Sequence, residues 1–325
     1  MKHIRIVAAL MLIALLPPGA ARAEDAVWFR LNRYLGGLHA PFYYGKAKGF
    51  YRDEGIELTI SEGRSSPETV QSVAAGTDLF GLADSSSLIG AAAKGADVKS
   101  VMSLLNASPF AVISLAASGI KSPKDLEGRS LAATPGDPMT LLFRAFAAAN
   151  QLDTSRIRIV PVDPAAKATA VAEKRADALL GSVDDQYFLI KSQGKGFEPA
   201  ALRYADNGAN TVGLTVVTKG ATIAGNPQLV RRFVKATVRA WEEARKEPEA
   251  AIDALRKVKP DLEEQSALDQ LTADFALIDS ANSLGKIGWG VEEDWSDTID
   301  LVKKYLNVQT GKDWTAFHTN DFLPE

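Results

Sequence analysis

Strand-like and helix-like segments alternate along most of the chain, and this alternation is the feature that most constrains its fold. Between residues 26 and 105 the order is β-α-β-α-β, beginning with the strand Ala26–Leu31. Such an order implies parallel strands joined by right-handed crossovers. A second α/β unit begins at Ala111, and from Asn226 onward the pattern is helical. We therefore predict an α/β fold in which helices flank mainly parallel sheets.

The first unit is interrupted by the second, because the strand Val212–Val217 is predicted to carry the chain back to it. This arrangement indicates two lobes separated by a cleft, with hinges near Asn106–Pro109 and Asn210–Gly213. Ligands of such sheets bind at the carboxyl ends of the strands, where helix N-termini point. The predicted division is a leader at 1–23, lobe 1 at 24–108 and 213–325, and lobe 2 at 109–212.

Local patterns give more detailed predictions in lobe 1. His39–Phe50 is predicted as one helix, with apolar residues at helical spacing. The helix Pro67–Ala75 is predicted to open on Ser66 as its N-cap and to close at Gly76. In the C-terminal part, the predicted helices are Pro227–Lys246, Pro248–Val258, Leu262–Asp279 and Glu292–Leu306.

The N-terminus has the pattern of a secretory signal peptide. Basic residues precede the uncharged apolar run Ile6–Leu16, and Ala21-Arg22-Ala23 supplies small residues at the two positions that a signal peptidase reads. An uncharged run of this length is too short to span about 30 Å of hydrocarbon. We therefore predict cleavage after Ala23 and export to the periplasm.

Composition excludes several classes of function. The 325 residues carry a net charge of −3, which argues against a nucleic-acid partner. The chain has no cysteine, and this excludes disulfides, thiolate metal sites and thiol catalysis. No Gly-x-Ser-x-Gly, Walker or His-Glu-x-x-His motif occurs in the sequence. We expect neither an enzyme nor a cofactor site.

Several motifs resemble, in order, those of one family of exported proteins. The first is the run from His39 to Leu58, which contains Ala-Lys-Gly-Phe-Tyr and Glu-Gly-Ile-Glu-Leu. Val73–Ala83, Ile120–Ala132 and Glu173–Ala178 are similar to later motifs of the same family. The family is that of the solute-binding proteins of ABC importers for nitrate, sulfonates, taurine and thiamine pyrimidine precursors.

The resemblance covers about residues 28–305 and implies a two-lobed periplasmic binding protein of type II. Such a protein is expected to be a monomer that closes on a small molecule and delivers it to a membrane permease. The family also includes a cytosolic pyrimidine synthase with a cysteine-rich segment, and the lack of cysteine here argues against that enzyme.

Polar and aromatic residues in the loops after the strands are the candidate ligand contacts. Asn32, Tyr34 and His39 follow the first strand, where a planar ring could stack on Tyr34; His39 could equally serve only to start a helix. Ser85 and Ser86 open a helix and could hold a polar ligand or merely cap it. The remaining candidates are Asn106, Gly136, Asp137, Asp184, Asp185 and Trp289. Trp289 could roof the cleft or pack in the core.

The charges of these loops favour one type of ligand. They contain four acids, Asp84, Asp137, Asp184 and Asp185. The only basic residues that could balance these charges are Arg33, Arg64 and His39. Unpaired carboxylates facing a buried anion are costly. We therefore expect a neutral or cationic nitrogen-bearing molecule, such as a pyrimidine-like ring. A nitrate, alkylsulfonate or taurine receptor is the alternative, and a sensor that presents its ligand to a membrane kinase is a third possibility.

Overall fold

A computed structural model describes residues 24–194, 196–283 and 285–325. The predicted signal peptide lies outside these ranges. Among the helices so described, none combines the length and the apolar composition needed to cross a membrane.

The chain forms ten strands and twelve helices within the described ranges. The strands are β1 Asp25–Arg30, β2 Ile56–Ser61, β3 Phe80–Asp84, β4 Lys99–Ser103, β5 Phe110–Leu115, β6 Ser130–Ala133, β7 Arg158–Pro161, β8 Ala178–Ser182, β9 Pro199–Arg203 and β10 Leu214–Thr218. The helices are α1 Ala40–Ala47, α2 Phe50–Asp53, α3 Ser66–Ala75, α4 Ser85–Ala93, α5 Pro138–Ala149, α6 Lys167–Ala172, α7 Gln186–Lys191, α8 Gly220–Gly225, α9 Pro227–Lys246, α10 Pro248–Arg256, α11 Glu264–Phe275 and α12 Glu292–Leu306.

The strands form two five-stranded sheets, and each sheet is the centre of one lobe. Lobe 1 has the strand order β2-β1-β3-β10-β4, and lobe 2 has the order β7-β6-β8-β5-β9. In lobe 1, β10 pairs antiparallel with both neighbours, whereas β1 pairs parallel with β2 and β3. In lobe 2, β5 is the antiparallel strand. Each sheet is thus mainly parallel, as the α/β alternation predicts.

The antiparallel strands are the ones next to the passages between the lobes. The chain leaves lobe 1 after β4 and enters lobe 2 at β5, and it returns after β9 into β10. A strand entered directly from the other lobe has no preceding crossover helix in its own sheet. Its direction is therefore not constrained by the right-handed crossover that orients the other strands.

The helices pack because their apolar faces match the sheets. Helix α9 begins at Pro227 after the N-cap Asn226, whose Oδ1 accepts from Leu229 N at 3.1 Å. Its Phe233 lies in the core of lobe 1 and stacks on Phe80 of β3 with ring centroids 4.0 Å apart. Helix α12 packs on α4 of lobe 1 and on α5 of lobe 2. It is therefore a contact between the lobes besides the two chain passages.

Two local predictions differ from the structure, and two of its elements were not predicted. The predicted helix His39–Phe50 is divided into α1 and α2, because Gly49 adopts a φ of +83° that ends the first helical segment. The N-cap of α3 is Ser65, not Ser66, and its Oγ accepts from Glu68 N. Strand β9 and helix α8 were not anticipated, since neither has a clear apolar periodicity.

Candidate ligand-binding site

A cavity of about 370 Å³ lies between the two lobes. Its volume is in the range of small-molecule sites. Lobe 1 contributes Asn32, Arg33, Tyr34 and Asp84, among others, and lobe 2 contributes the loop from Thr134 to Met139 and residues after β8. Five prolines line it: Pro67, Pro109, Pro135, Pro138 and Pro164. Together with Phe110, they give the cavity a rigid, largely apolar wall around a few polar groups.

Asn32 and His39 form one unit at the end of β1. Gly36 N donates to His39 Nδ1 at 3.1 Å, so the proton of the neutral ring is on Nε2, which donates to Asn32 Oδ1 at 3.0 Å. Burial, with a contribution from Arg33, lowers the pKa of His39 well below its usual range. The ring is therefore neutral and fixes the carboxamide of Asn32, which lines the cavity. His39 itself is fully buried and acts through Asn32.

The two glycines of this loop serve contact with a helix. Gly37 N donates to Gln270 Oε1 at 2.7 Å, and a Cβ at Gly37 would meet the backbone oxygen of Ala267 at 2.1 Å. Glycines in a loop at a strand end suggest close approach of a ligand, but here Gly36 and Gly37 approach α11. Gly136 is different, because it lines the cavity and its φ of +84° favours glycine.

Arg33 joins the lobes through two adjacent carboxylates. Its guanidinium lies 2.6 Å from Asp185 Oδ2 and 3.0 Å from Asp184 Oδ2. Tyr34 Oη and Gln186 Nε2 also donate to Asp185 Oδ2, at 3.0 and 2.7 Å. Burial opposes the charged form of Arg33, but the two carboxylates raise its pKa above the usual range. Arg33 is therefore a fixed cation held by both acids.

This geometry corrects one expectation. Neighbouring residues on a strand point to opposite faces, so the sequence predicts that Asp184 and Asp185 cannot act as a pair if they lie on a strand. Strand β8 ends at Ser182, however, so the alternation no longer applies and both carboxylates reach Arg33. Burial raises the pKa of Asp185, with the neighbouring Asp184 acting in the same direction.

A third carboxyl group completes the cluster. Asp274 of α11 is fully buried near Asp184, and neither of its carboxyl oxygens has a hydrogen-bond partner among the residues that the structure describes. Burial and the negative charge of Asp184 raise the pKa of Asp274 well above its usual range. This shift favours the protonated form of Asp274, which removes the repulsion between this group of lobe 1 and Asp184 of lobe 2.

Asp137 is neutralised within lobe 2. Its Oδ1 accepts from Thr140 N at 2.7 Å and caps α5, and its Oδ2 accepts from Lys167 Nζ. Lys167 also donates to Leu180 O at 2.9 Å and is only 1% exposed. Lys167 was not among the predicted site residues. It lies in a segment of alanines and a valine, and a lysine in such an apolar segment indicates a buried cation.

Asp84 and the two serines after it lie at the start of α4. Asp84 Oδ1 accepts from Ser86 N at 2.9 Å and from Ser86 Oγ at 2.5 Å. Ser85 Oγ donates to Val212 O. The two serine hydroxyls, predicted as ligand contacts, are therefore used within the protein: that of Ser86 by the Asp84 cap and that of Ser85 by the backbone of the hinge segment. Asp84 is the residue of this loop that lines the cavity.

The structure places two further candidates away from the cavity. Asn106 Nδ2 donates to Ile278 O and to Trp289 O, and its Oδ1 accepts from Ser103 Oγ, so the amide ties the hinge strand to the C-terminal segment. Trp289 lines a separate cavity of about 550 Å³ near the C-terminus and does not roof the cleft. Its ring lies 5.4 Å from Lys286 Nζ.

Five of the predicted residues therefore line the cavity: Asn32, Tyr34, Gly136, Asp137 and Asp185. The expected excess of acid is largely compensated, because Arg33 holds Asp184 and Asp185 while Lys167 holds Asp137. Of the basic residues expected to balance these acids, His39 is neutral and Arg64 is exposed at the cavity rim.

Comparisons with known proteins agree with this architecture. The sequence model of the family described as NMT1/THI5 like matches residues 37–251. The riboflavin-binding protein RibY of Chloroflexus aurantiacus is 25% identical over 88% of this chain and 82% of its own. A 4-amino-5-hydroxymethyl-2-methylpyrimidine phosphate synthase of Legionella pneumophila is 26% identical over 93% of both chains. The formylaminopyrimidine-binding protein of Halalkalibacterium halodurans is 22% identical over 93% of this chain and 92% of its own.

Solved structures show the same fold. The periplasmic aliphatic sulphonate-binding protein SsuA of Escherichia coli superposes with a TM-score of 0.69 at 18% identity, over 90% of this chain and 91% of its own. The two-lobed architecture with a mainly parallel sheet in each lobe is thus the periplasmic binding protein fold.

Proposed function

Because the chain belongs to the NMT1/THI5-like family, we propose that it is the solute-binding receptor of an ABC importer. It acts as an exported monomer that closes on one small molecule and presents it to the permease. Residues 24–108 with 213–325 form the one rigid body of this movement, and 109–212 form the other. The observation that carries the proposal is the cavity between the lobes, to which both lobes contribute polar side chains.

Closure follows from the contacts across this cavity. Arg33 and Tyr34 of lobe 1 bind Asp185 of lobe 2, so an ion pair and a hydrogen bond between the lobes stabilise the closed form beside the ligand. A ligand that touches both lobes binds the closed form better than the open form. The population therefore shifts to the closed form in proportion to that difference in affinity.

The ligand we propose is a neutral or cationic nitrogen-bearing ring, such as an aminopyrimidine. The largely apolar wall suits a ring, and Tyr34 offers an aromatic side chain. A nitrate or alkylsulfonate needs cations that are available to it. Arg33 and Lys167 are already held by carboxylates, and carboxylates cap both α4 and α5 at the cavity. The names of two relatives that bind riboflavin or a formylaminopyrimidine support the same ligand class.

A synthase is the rival function, because several relatives, from Legionella pneumophila, Saccharomyces cerevisiae and Candida albicans, carry that name. The absence of cysteine from this chain argues against it, since the pyrimidine synthases that the chain resembles have a cysteine-rich segment. Mass spectrometry of recovered ligand separates the two functions: a receptor returns the compound unaltered, and a synthase does not.

A thermal-shift screen tests the proposal. Pyrimidines, sulfonates, nitrate and aromatic acids are each added to the purified mature protein, and a compound that binds the native state raises its melting temperature. We expect aminopyrimidines to give the largest shift. Met139→Trp, which narrows the cavity, should abolish the shift. Leu141→Trp is the matched control, because Leu141 lies on the same helix and is 37% exposed. A response to strong anions alone would contradict the proposed ligand class.

A further inference from the structure

Asp84 has a carboxylate oxygen that the protein does not use. Its Oδ1 caps α4 and accepts from Ser86 N, Ser86 Oγ and Ser87 N. Its Oδ2 is buried and has no hydrogen-bond partner among the residues that the structure describes. Asp84 is 2% exposed and lines the interlobe cavity. Buried polar atoms normally have a partner, so this oxygen needs an explanation.

At the equivalent position in lobe 2, both oxygens of the N-cap carboxylate have a hydrogen-bond donor. Asp137 caps α5 with Oδ1, as Asp84 caps α4, and it also lines the cavity. Its Oδ2, however, accepts from Lys167 Nζ. Two helices thus start at the same cavity with the same residue, and in one of them the second oxygen lacks its donor. Burial raises the pKa of Asp84 to about 7, as expected for a carboxylate without a cation beside it.

Resting on the proposed receptor function, we propose that Asp84 Oδ2 accepts a hydrogen bond from an N–H group of the bound ligand. Asp84 is then the residue that selects rings with an amino group, or a protonated ring nitrogen, over rings with a carbonyl oxygen in the same place. An amino group satisfies the orphaned oxygen. Above the pKa of about 7, where the carboxyl group of Asp84 is ionised, a carbonyl oxygen would face it without a proton between them, and a buried acceptor left unpaired is costly.

The contrast between Asp84 and Asp137 supplies the experiment. Asp84→Asn keeps one oxygen to cap α4 but replaces the second with an NH₂ donor, so the polarity at the cavity is reversed with little change of shape. Titration calorimetry compares 4-amino-2-methylpyrimidine with 2-methylpyrimidin-4-one, which has a carbonyl where the first has an amino group. At pH 9, where Asp84 is ionised, we expect the natural protein to prefer the amino compound by about 100-fold, which is less than the roughly 10⁴-fold selectivity of sites built around one substrate hydrogen bond.

In Asp84→Asn we expect that preference to fall by at least about tenfold and to move toward the pyrimidinone. Asp137→Asn is the control, and it should change the affinity for both compounds alike. Asp84→Ser retains a good N-cap without a second oxygen, and it should lose the preference without reversing it. The melting curve of each variant checks that it folds.

The outcomes separate this inference from the proposed function. An Asp84→Asn protein that folds and keeps the natural preference would overturn the role of Asp84 but leave the receptor function intact. Binding of sulfonates or nitrate alone would also overturn it. A natural protein that binds no compound of the thermal-shift screen would contradict the proposed function itself, and the role of Asp84 with it.

Discussion

Arg33 of lobe 1 and Asp185 of lobe 2 lie 2.6 Å apart, joined by an ion pair at the edge of the interlobe cavity. Asp184 lies 3.0 Å from the same guanidinium. One arginine thus holds two carboxylates that belong to the opposite lobe. The stability of the closed form and the shape of the cavity depend on the same group.

Arg33→Lys should weaken ligand binding. Lysine keeps the charge but loses the planar fork that reaches two carboxylates at once. We expect the affinity to fall by about tenfold or more, because the closed form loses part of the ion pairing between the lobes. Calorimetry measures the affinity. Lys191→Ala is the control, since the Lys191–Asp269 pair also joins the lobes at 3.3 Å but is solvent-exposed. Equal effects of the two variants would contradict a special role for Arg33.

Asp274→Asn should abolish the uptake of a proton that accompanies closure of the lobes on a ligand. In the structure, Asp274 lies near Asp184, Asp185 and Arg33, and burial together with Asp184 raises its pKa well above the usual range, which favours the protonated form. Opening takes Asp184 away, so the pKa of Asp274 falls and the proton is released. Closure on a ligand therefore takes up a proton, and affinity rises as the pH falls. Calorimetry in buffers of different ionisation enthalpy should detect uptake in the natural protein but not in the variant. Equal proton uptake by both proteins would exclude this role.

Asp84→Asn should stabilise the ligand-free protein above pH 7. The pKa of Asp84 is about 7 in the folded state and near 3.8 when unfolded. The stability that this group contributes is present below the unfolded value and is lost as the pH rises through 7. Removing the buried charge should therefore raise the free energy of unfolding at pH 8 by roughly 1–4 kcal/mol. Urea unfolding at pH 8 and pH 4 measures it. A loss of stability at pH 8 would show that the cap needs the charge.

His318 should make the fold sensitive to acid. It is 1% exposed, stacks on Trp295 with ring centroids 4.8 Å apart, and bonds to Ser100 and Asn320. Burial lowers its pKa to about 4. Between pH 6.5 and pH 4, His318 is protonated in the unfolded chain but neutral in the folded protein. The folded protein therefore loses stability as the pH falls through this range. The loss reaches about 3 kcal/mol at pH 4.

His318→Gln checks this origin of the acid sensitivity. The variant should be less stable at pH 7, because the ring stacking is lost, but its stability should fall less between pH 6.5 and pH 4. Urea unfolding across this range gives the two slopes. Parallel slopes for the natural protein and the variant would assign the acid sensitivity to other groups, such as His39, whose pKa is also lowered.

The sequence predicted the elements that have strong periodicity. Helices α9 and α12 and strand β6 have the predicted bounds, because each carries a clear apolar pattern between evident end signals. It did not predict β9, a short edge strand without alternation of buried and exposed residues. The break at Gly49 was also missed, since a glycine inside a helical pattern is compatible with either continuation or a left-handed end.

The sequence predicts loops that line the interlobe cavity, but it does not predict the pairing of their charges. Asp137, Asp184 and Asp185 were counted as unpaired acids, whereas Lys167 and Arg33 neutralise them. Helix α5 and strand β7 separate Lys167 from its carboxylate partner Asp137 along the chain, and such pairing depends on how the elements fold together. Asp274 gave no signal at all, because one acid on an amphipathic helix looks like a solvated residue.

Native mass spectrometry of the mature protein with 4-amino-2-methylpyrimidine tests the central claim most directly. The account predicts one ligand per chain, with the mass of the unaltered compound, and loss of that complex in Met139→Trp but not in Leu141→Trp. A bound species of altered mass, or a complex that survives Met139→Trp, would contradict a receptor that encloses its ligand unchanged between the two lobes.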